Sequence, residues 1–129
     1  MSELKRILYV EDEPDIQAVA KIALEMVGGF TVRICASGDE ALRQAEAFGP
    51  DLILLDVMMP GMDGPSTLKA LRDLPTLART PVVFMTAKVQ APEVARYKEL
   101  GALDVVAKPF DPMTLPNRLR AIWEQSHER

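Results

Sequence analysis

A chain of 129 residues suits one domain and leaves no room for a second. Apolar residues make up 48% and charged residues 26%, an ordinary globular mix, and the net charge of −4 offers no basic footprint for nucleic acid or an anionic membrane. The single cysteine, Cys35, excludes an internal disulfide framework and fits a reducing compartment; no run approaches the roughly 18 apolar residues of a membrane span, and the opening MSELKR lacks a signal-peptide apolar core, so a cytoplasmic location is expected.

Ile7-Leu8-Tyr9-Val10 reads as a first strand. It ends in three acids, Glu11-Asp12-Glu13, followed by Pro14, which suits the first turn of a helix. Helical spacing follows at Ile16, Val19, Ala20, Ala23, Met26 and Val27, and Gly28-Gly29 close that helix. Phe30 to Ala36 reads as a second strand. Ser37 or Gly38 caps a second helix with Ala41, Leu42, Ala45 and Phe48 on its inner face, stopped by Gly49-Pro50.

The central stretch is DLILLDVMMPGMDG, Asp51 to Gly64. The unbroken run Leu52-Ile53-Leu54-Leu55 predicts a strand buried on both faces, as in a parallel sheet covered by helices. It stops at Asp56, and Pro60-Gly61 and Asp63-Gly64 then turn the chain. By itself, Asp56 reads either as a capping or turn residue or as a working group. A third helix is expected over Pro65 to Leu74, with Leu68 and Leu71 on one side.

Val82 to Met85 predicts a fourth strand ending at Thr86-Ala87-Lys88. A helix from Pro92 to Leu100 follows, closed by Gly101. Asp104 to Ala107 predicts a fifth strand ending at Lys108-Pro109-Phe110. The last helix carries Leu115, Leu119, Ile122 and Trp123 on one face and begins near Thr114, because Pro116 must fall in its first turn. The polar segment after Trp123 is expected to fray. Five alternations of strand and helix predict a doubly wound, five-stranded parallel sheet of order 2-1-3-4-5, the flavodoxin-like (βα)5 arrangement. Residues 1–125 are read as one domain and 126–129 as a polar tail.

That topology brings the carboxyl ends of strands 1, 3, 4 and 5 to one edge, where open α/β sheets place their ligands. Glu11, Asp12, Asp56, Thr86 and Lys108 fall there. Three clustered carboxylates repel, and one holds a proton unless a cation intervenes. Hard oxygen donors with room for water suit Mg²⁺. A carboxylate such as Asp56 can act as a nucleophile and form an acyl phosphate. The transferring group then needs its three equatorial oxygens stabilised. Mg²⁺, the Lys108 ammonium, and the Thr86 hydroxyl with the Ala87 N–H match that demand.

Four motifs in order, YVEDEP, DLILLDVMMPGMDG, PVVFMTA and VVAKPF, resemble the receiver domain of two-component response regulators, over essentially the whole chain. The resemblance implies Asp56 as phospho-acceptor. Glu11, Asp12 and the Met58 backbone carbonyl join Asp56 around Mg²⁺, Thr86 supplies the switch hydroxyl, and Lys108 the partner lysine, with a cis Lys108-Pro109 bond. It implies a sensor histidine kinase or histidine phosphotransfer protein as donor and a downstream protein reading helix 4, strand 5 and helix 5. It further implies no direct DNA binding, a monomer or phosphorylation-dependent dimer, and no enzymatic activity beyond self-phosphorylation and slow autodephosphorylation. The sequence departs from the family at Glu11, where aspartate is commoner and whose longer arm is expected to reach Mg²⁺ through water. It departs at Val105, where the family carries a rotating aromatic. Met58 and Lys88 occupy positions that govern the water hydrolysing the acyl phosphate.

The alternative readings are a phosphorylation-independent pseudo-receiver and an aspartate-nucleophile phosphatase of haloacid-dehalogenase type. Met58 stands where the latter needs a second aspartate. A flavin-binding protein of this topology needs a Ser/Thr/Gly-rich phosphate loop after strand 1, which the chain lacks. More ordinary readings make Glu11-Asp12-Glu13 a solvated helix start, Asp63 a turn residue, Thr86 a strand-end hydroxyl and the methionines core filler. Arg79, Arg96 and Lys98 read as a solvated face, and His127 as part of the polar tail. No output domain follows Trp123, so the sequence reads as a stand-alone receiver or a piece of a longer protein.

Overall fold

Strands buried on both faces need helices on both faces, and the chain supplies them in strict alternation. A computed structural model of the protein describes residues 3–127, with the His127 side chain outside that description. The elements are β1 (Arg6–Val10), α1 (Pro14–Ile22), β2 (Thr31–Cys35), α2 (Gly38–Phe48), β3 (Leu52–Asp56), α3 (Gly64–Arg72), β4 (Val82–Thr86), α4 (Ala91–Glu99), β5 (Asp104–Ala107) and α5 (Leu115–His127). The sheet is parallel throughout, in the order β2-β1-β3-β4-β5 that the alternation predicts.

The two-residue period of the strands sorts their side chains into two cores. On one face Leu8, Val10, Ile53, Leu55, Val82 and Phe84 pack with Ala41, Ala45 and Phe48 of α2 and Leu68 and Leu71 of α3. On the other, Ile7, Tyr9, Leu52, Leu54, Val83, Met85 and Val106 meet Ala20 and Leu24 on the α1 side and Leu115, Leu119, Ile122 and Trp123 of α5. Every residue of β3 and β4 is buried. Helix α4 differs from the others in having no buried residue; it rests on the sheet through the half-buried Val94 and Tyr97.

The helix ends show how local chemistry sets the boundaries. The Ser37 hydroxyl accepts from the Glu40 N–H at the start of α2, and Gly49 closes that helix at φ 67°, a left-handed conformation that favours glycine. Asp63, read from sequence as a turn residue, caps α3 by accepting from the Ser66 N–H at 2.9 Å. Lys108-Pro109 is cis, as the resemblance implies. Cys35 is fully buried, and burial pushes its thiol up to about 11, which fits an inert core residue.

Three details differ from expectation. The first helix does not run evenly to Gly28: Ala23–Val27 form a π turn, and Val19, Met26 and Val27 face solvent while Leu24 is buried. A short 3₁₀ turn, Pro75–Leu77, lies between α3 and β4 and buries Leu77. Helix α5 continues through Glu124 to His127 rather than fraying after Trp123; residues 128–129 of the expected tail, like 1–2, lie outside the described residues. Of the methionines, Met59 and Met85 fill core, whereas Met26, Met58 and Met113 are exposed.

Gly64 joins the fold to the edge where the acids gather. Its N–H donates to the Val57 carbonyl at 2.9 Å, and a β-carbon there would stand 2.6 Å from the Asp56 carbonyl oxygen and 2.8 Å from the Val57 Cα. Both neighbours are backbone, so neither can rotate away. Gly64→Ala is expected to cost roughly 1–3 kcal/mol, the range for overpacking, seen as a lower urea midpoint with an unchanged m-value.

Candidate functional site

The hydrogen-bond ladder runs one residue past β1, β3 and β5 toward the carboxyl edge. Glu11 N–H donates to Cys35 O at 2.9 Å, Val57 N–H to Met85 O at 3.1 Å, and Lys108 N–H to Thr86 O at 2.9 Å. The backbone just beyond the apolar runs is therefore as fixed as the strands. Counting by twos, Glu11 follows Tyr9, Asp56 follows Leu54 and Lys108 follows Val106, three residues of the α1/α5 face. The three polar side chains accordingly converge above that core. Thr86 follows Phe84 and takes the opposite parity, toward α4.

The Lys108 Nζ lies 2.9 Å from Glu11 Oε1 and 3.3 Å from Asp56 Oδ1. Carboxylate oxygens of Glu11, Asp12 and Asp56 all lie within 4.8 Å of one another. Glu11 is fully buried, Asp56 is 2% exposed and Asp12 is half-buried. Burial first, and then the negative charge of Glu11, push the Asp56 carboxyl up to about 6, against the opposing pull of Lys108. Burial works against the Lys108 ammonium, but its bond to Glu11 and the charge of Asp56 outweigh that and raise it. The repulsion expected of clustered carboxylates is thus present, and Lys108 relieves part of it.

Thr86 is buried, and its hydroxyl oxygen accepts from the Lys88 N–H at 3.1 Å, which shapes the turn into α4. Ala87 is exposed directly beyond it, and Lys88 also faces solvent. Met58, in the loop after β3, is 74% exposed. Val105 is buried opposite Phe84; the aromatic neighbour of Phe84 is instead Tyr97 of α4, edge-on at 5.2 Å between ring centroids. Of the residues read as a solvated face, Arg79 and Arg96 are exposed, and Lys98 pairs loosely with Asp104 at 3.8 Å.

The sequence alone does not disclose what holds Glu11. Its Oε1 accepts from the Tyr9 hydroxyl at 3.0 Å as well as from Lys108, its Oε2 from the Glu13 N–H at 3.2 Å, and its backbone carbonyl from the Gln17 amide. Burial and the charges of Glu11 and Asp56 drive the Tyr9 phenol upward, so the hydroxyl is a donor throughout the working pH range. The available signal is strand parity, which sets Tyr9 and Glu11 on one face.

The structure thus sets a lysine-bridged acidic pocket at the carboxyl edge of a doubly wound parallel sheet, where such folds place their ligands. Comparison with known proteins gives the family. The family described as "Response regulator receiver domain" matches residues 7–120. The transcriptional regulatory protein CpxR of Escherichia coli is 40% identical over 124 residues, 96% of this chain and 51% of that protein. CseB of Streptomyces avermitilis is 39% identical over 122 residues, 95% of this chain and 50% of that protein. Among solved structures, the Vibrio cholerae chemotaxis protein CheY4 superposes with a TM-score of 0.85 at 31% identity, over 92% of this chain and 98% of that one. A putative response regulator from Chloroflexus aurantiacus gives 0.83 at 33% identity, over 95% and 99%. The chain belongs to the response regulator receiver domains of two-component signal transduction. It spans about half the length of the curated relatives it matches.

Proposed function

We propose that this domain takes a phosphoryl group from a phosphohistidine of a sensor histidine kinase or a histidine phosphotransfer protein onto Asp56. The observation that carries the reading is the Lys108 ammonium, bridging Asp56 and Glu11 at 3.3 and 2.9 Å. A carboxylate oxygen of Asp56 attacks phosphorus, the P–N bond breaks, and the imidazole leaves. Lys108 neutralises charge on the transferring group, and the Thr86 hydroxyl with the Ala87 N–H stands at the next strand end to receive another oxygen. Residues 1–125 form one receiver unit in this reading.

The donor set fits Mg²⁺. It is all oxygen, without histidine or cysteine, and Glu11 is already committed to Tyr9, Lys108 and the Glu13 N–H. Asp12 and Asp56 would then be the carboxylates that hold it, joined by the Met58 carbonyl, with Glu11 acting through water; so few carboxylates suit an ion that keeps several waters. When bound, Mg²⁺ supplies positive charge beside the incoming phosphoryl oxygens.

The phosphorylated Asp56 draws in Thr86 and repositions the turn into α4, changing which protein, a second copy included, the α4–β5–α5 face prefers. CpxR and CseB are named transcriptional regulatory proteins. The −4 charge of this unit gives it no DNA-binding footprint of its own. Action in the cytoplasm belongs to this reading through the family; among the described residues no helix is long and apolar enough to cross a membrane.

The test is incubation with acetyl phosphate, read by intact mass. One phosphate is expected with Mg²⁺, none with chelator and none in Asp56→Asn. Failure of the parent to label would favour a phosphorylation-independent interaction module. Sustained release of nitrophenol from p-nitrophenyl phosphate would point instead to a phosphatase. The exposed Met58 offers a hydrolytic water no hydrogen bond. Met58→Asn is therefore expected to lose its phosphate several-fold faster than the parent, followed as decay of the labelled mass after acetyl phosphate is removed.

A further inference from the structure

We propose that Tyr9 is a positioning residue, whose buried hydroxyl fixes the Glu11 carboxylate and through it sets the Lys108 ammonium against Asp56. The inference rests on the phosphoryl-acceptor reading above. Tyr9 is fully buried on an inner strand of the sheet, where a phenol needs a hydrogen-bond partner. It donates to Glu11 Oε1 at 3.0 Å, while its hydroxyl also lies against Met85 Sδ at 3.5 Å. The same Oε1 accepts from Lys108 Nζ at 2.9 Å, closer than the 3.3 Å between Lys108 and Asp56. Where that one oxygen sits, the ammonium sits.

A glutamate arm has one more rotatable bond than an aspartate arm, so it needs more constraint to hold a charge in place. Tyr9 supplies the constraint from beneath and the Glu13 N–H from the side. An aspartate at position 11 would stop one methylene short of the hydroxyl. Tyr9 and Glu11 therefore work as a pair: the longer acid reaches back into the sheet, and the phenol holds it there. In this arrangement Glu11 anchors the lysine rather than binding metal directly.

A double-mutant cycle separates positioning from packing. Tyr9→Phe keeps the ring and removes only the hydroxyl. Acetyl phosphate labelling at saturating Mg²⁺ is expected to slow about tenfold, the scale of one hydrogen bond to a charged group. Mg²⁺ affinity of the unphosphorylated protein, by calorimetry, is expected to stay within about threefold of the parent, since Asp12 and Asp56 are untouched. In the Glu11→Asp background, Tyr9→Phe is expected to change the labelling rate less than twofold. An unchanged rate in Tyr9→Phe would overturn the proposal, as would an equal loss in both backgrounds or a fall in Mg²⁺ affinity matching the fall in rate. If the parent itself does not label, it is the acceptor reading that fails.

Discussion

In chelator at pH 7.5, Asp56→Asn is expected to melt above the parent. The Asp56 carboxyl rises from 3.8 to about 6 in the folded chain, because burial and the neighbouring Glu11 charge outweigh the pull of Lys108. A carboxyl raised by one pH unit makes its ionised form about 1.4 kcal/mol less favourable, so ionised Asp56 lowers stability by up to about 3 kcal/mol. The amide removes that cost and gives up the contact with Lys108, leaving an expected gain of about 2 kcal/mol, several degrees in Tm for a chain this size. The folded value lies above the unfolded one, so the penalty is absent below the unfolded carboxyl range and complete above about pH 6. The parent is therefore expected to gain on the variant as pH falls from about 6 toward 4. Saturating Mg²⁺, which binds the ionised parent, should narrow the gap at pH 7.5. An Asp56→Asn protein less stable than the parent in chelator would contradict this electrostatic account. Thermal melts with and without Mg²⁺ across that pH range decide it.

Lys108→Ala is expected to act in the opposite direction on stability. It leaves Glu11 and Asp56, both almost wholly buried, without their shared cation. Removing one partner of a buried pair commonly costs 3–5 kcal/mol; Lys108 keeps some solvent contact, so a loss of roughly 2–3 kcal/mol is expected here. The loss should shrink as Asp56 takes a proton below pH 6. Acetyl phosphate labelling should fall at least about a hundredfold, the scale for losing one charge-stabilising group at a reacting centre. Adding Asp56→Asn to Lys108→Ala should recover much of the stability but none of the labelling. Urea titrations of the two single variants and the double variant, fitted as a cycle, measure the coupling.

Much of the fold is legible because each strand is a short apolar run stopped by a polar residue. Leu52 to Leu55 has apolar side chains on both faces, and a parallel sheet is the arrangement that buries both. The same feature makes the pocket legible: Glu11, Asp56, Thr86 and Lys108 are the first polar residues after four such runs. The inner face of the first helix is legible at Ile16, Ala20 and Ala23 but not past them, for a physical reason. A regular helix advances 3.6 residues per turn, but the π turn at Ala23–Val27 is wider and rotates the chain within it, so Leu24 turns inward and Met26 outward. At the other end, Glu124 to His127 contain neither proline nor glycine, so nothing stops α5 once Trp123 is docked. Tyr9 escapes notice because, in an apolar run, a tyrosine reads as bulk; its hydroxyl matters only once parity sets it beneath Glu11.

The thin seating of α4 bears on how little force the proposed switch would require. A helix lying on the sheet through Val94 and Tyr97 alone forfeits little apolar burial when it slides or tips, whereas moving α2 or α5 would tear open a core. Such loosely docked segments open at a fraction of the global unfolding free energy. In the proposed function, one new anion at the end of β3 would thus act on a weakly fastened helix and leave the rest of the framework standing.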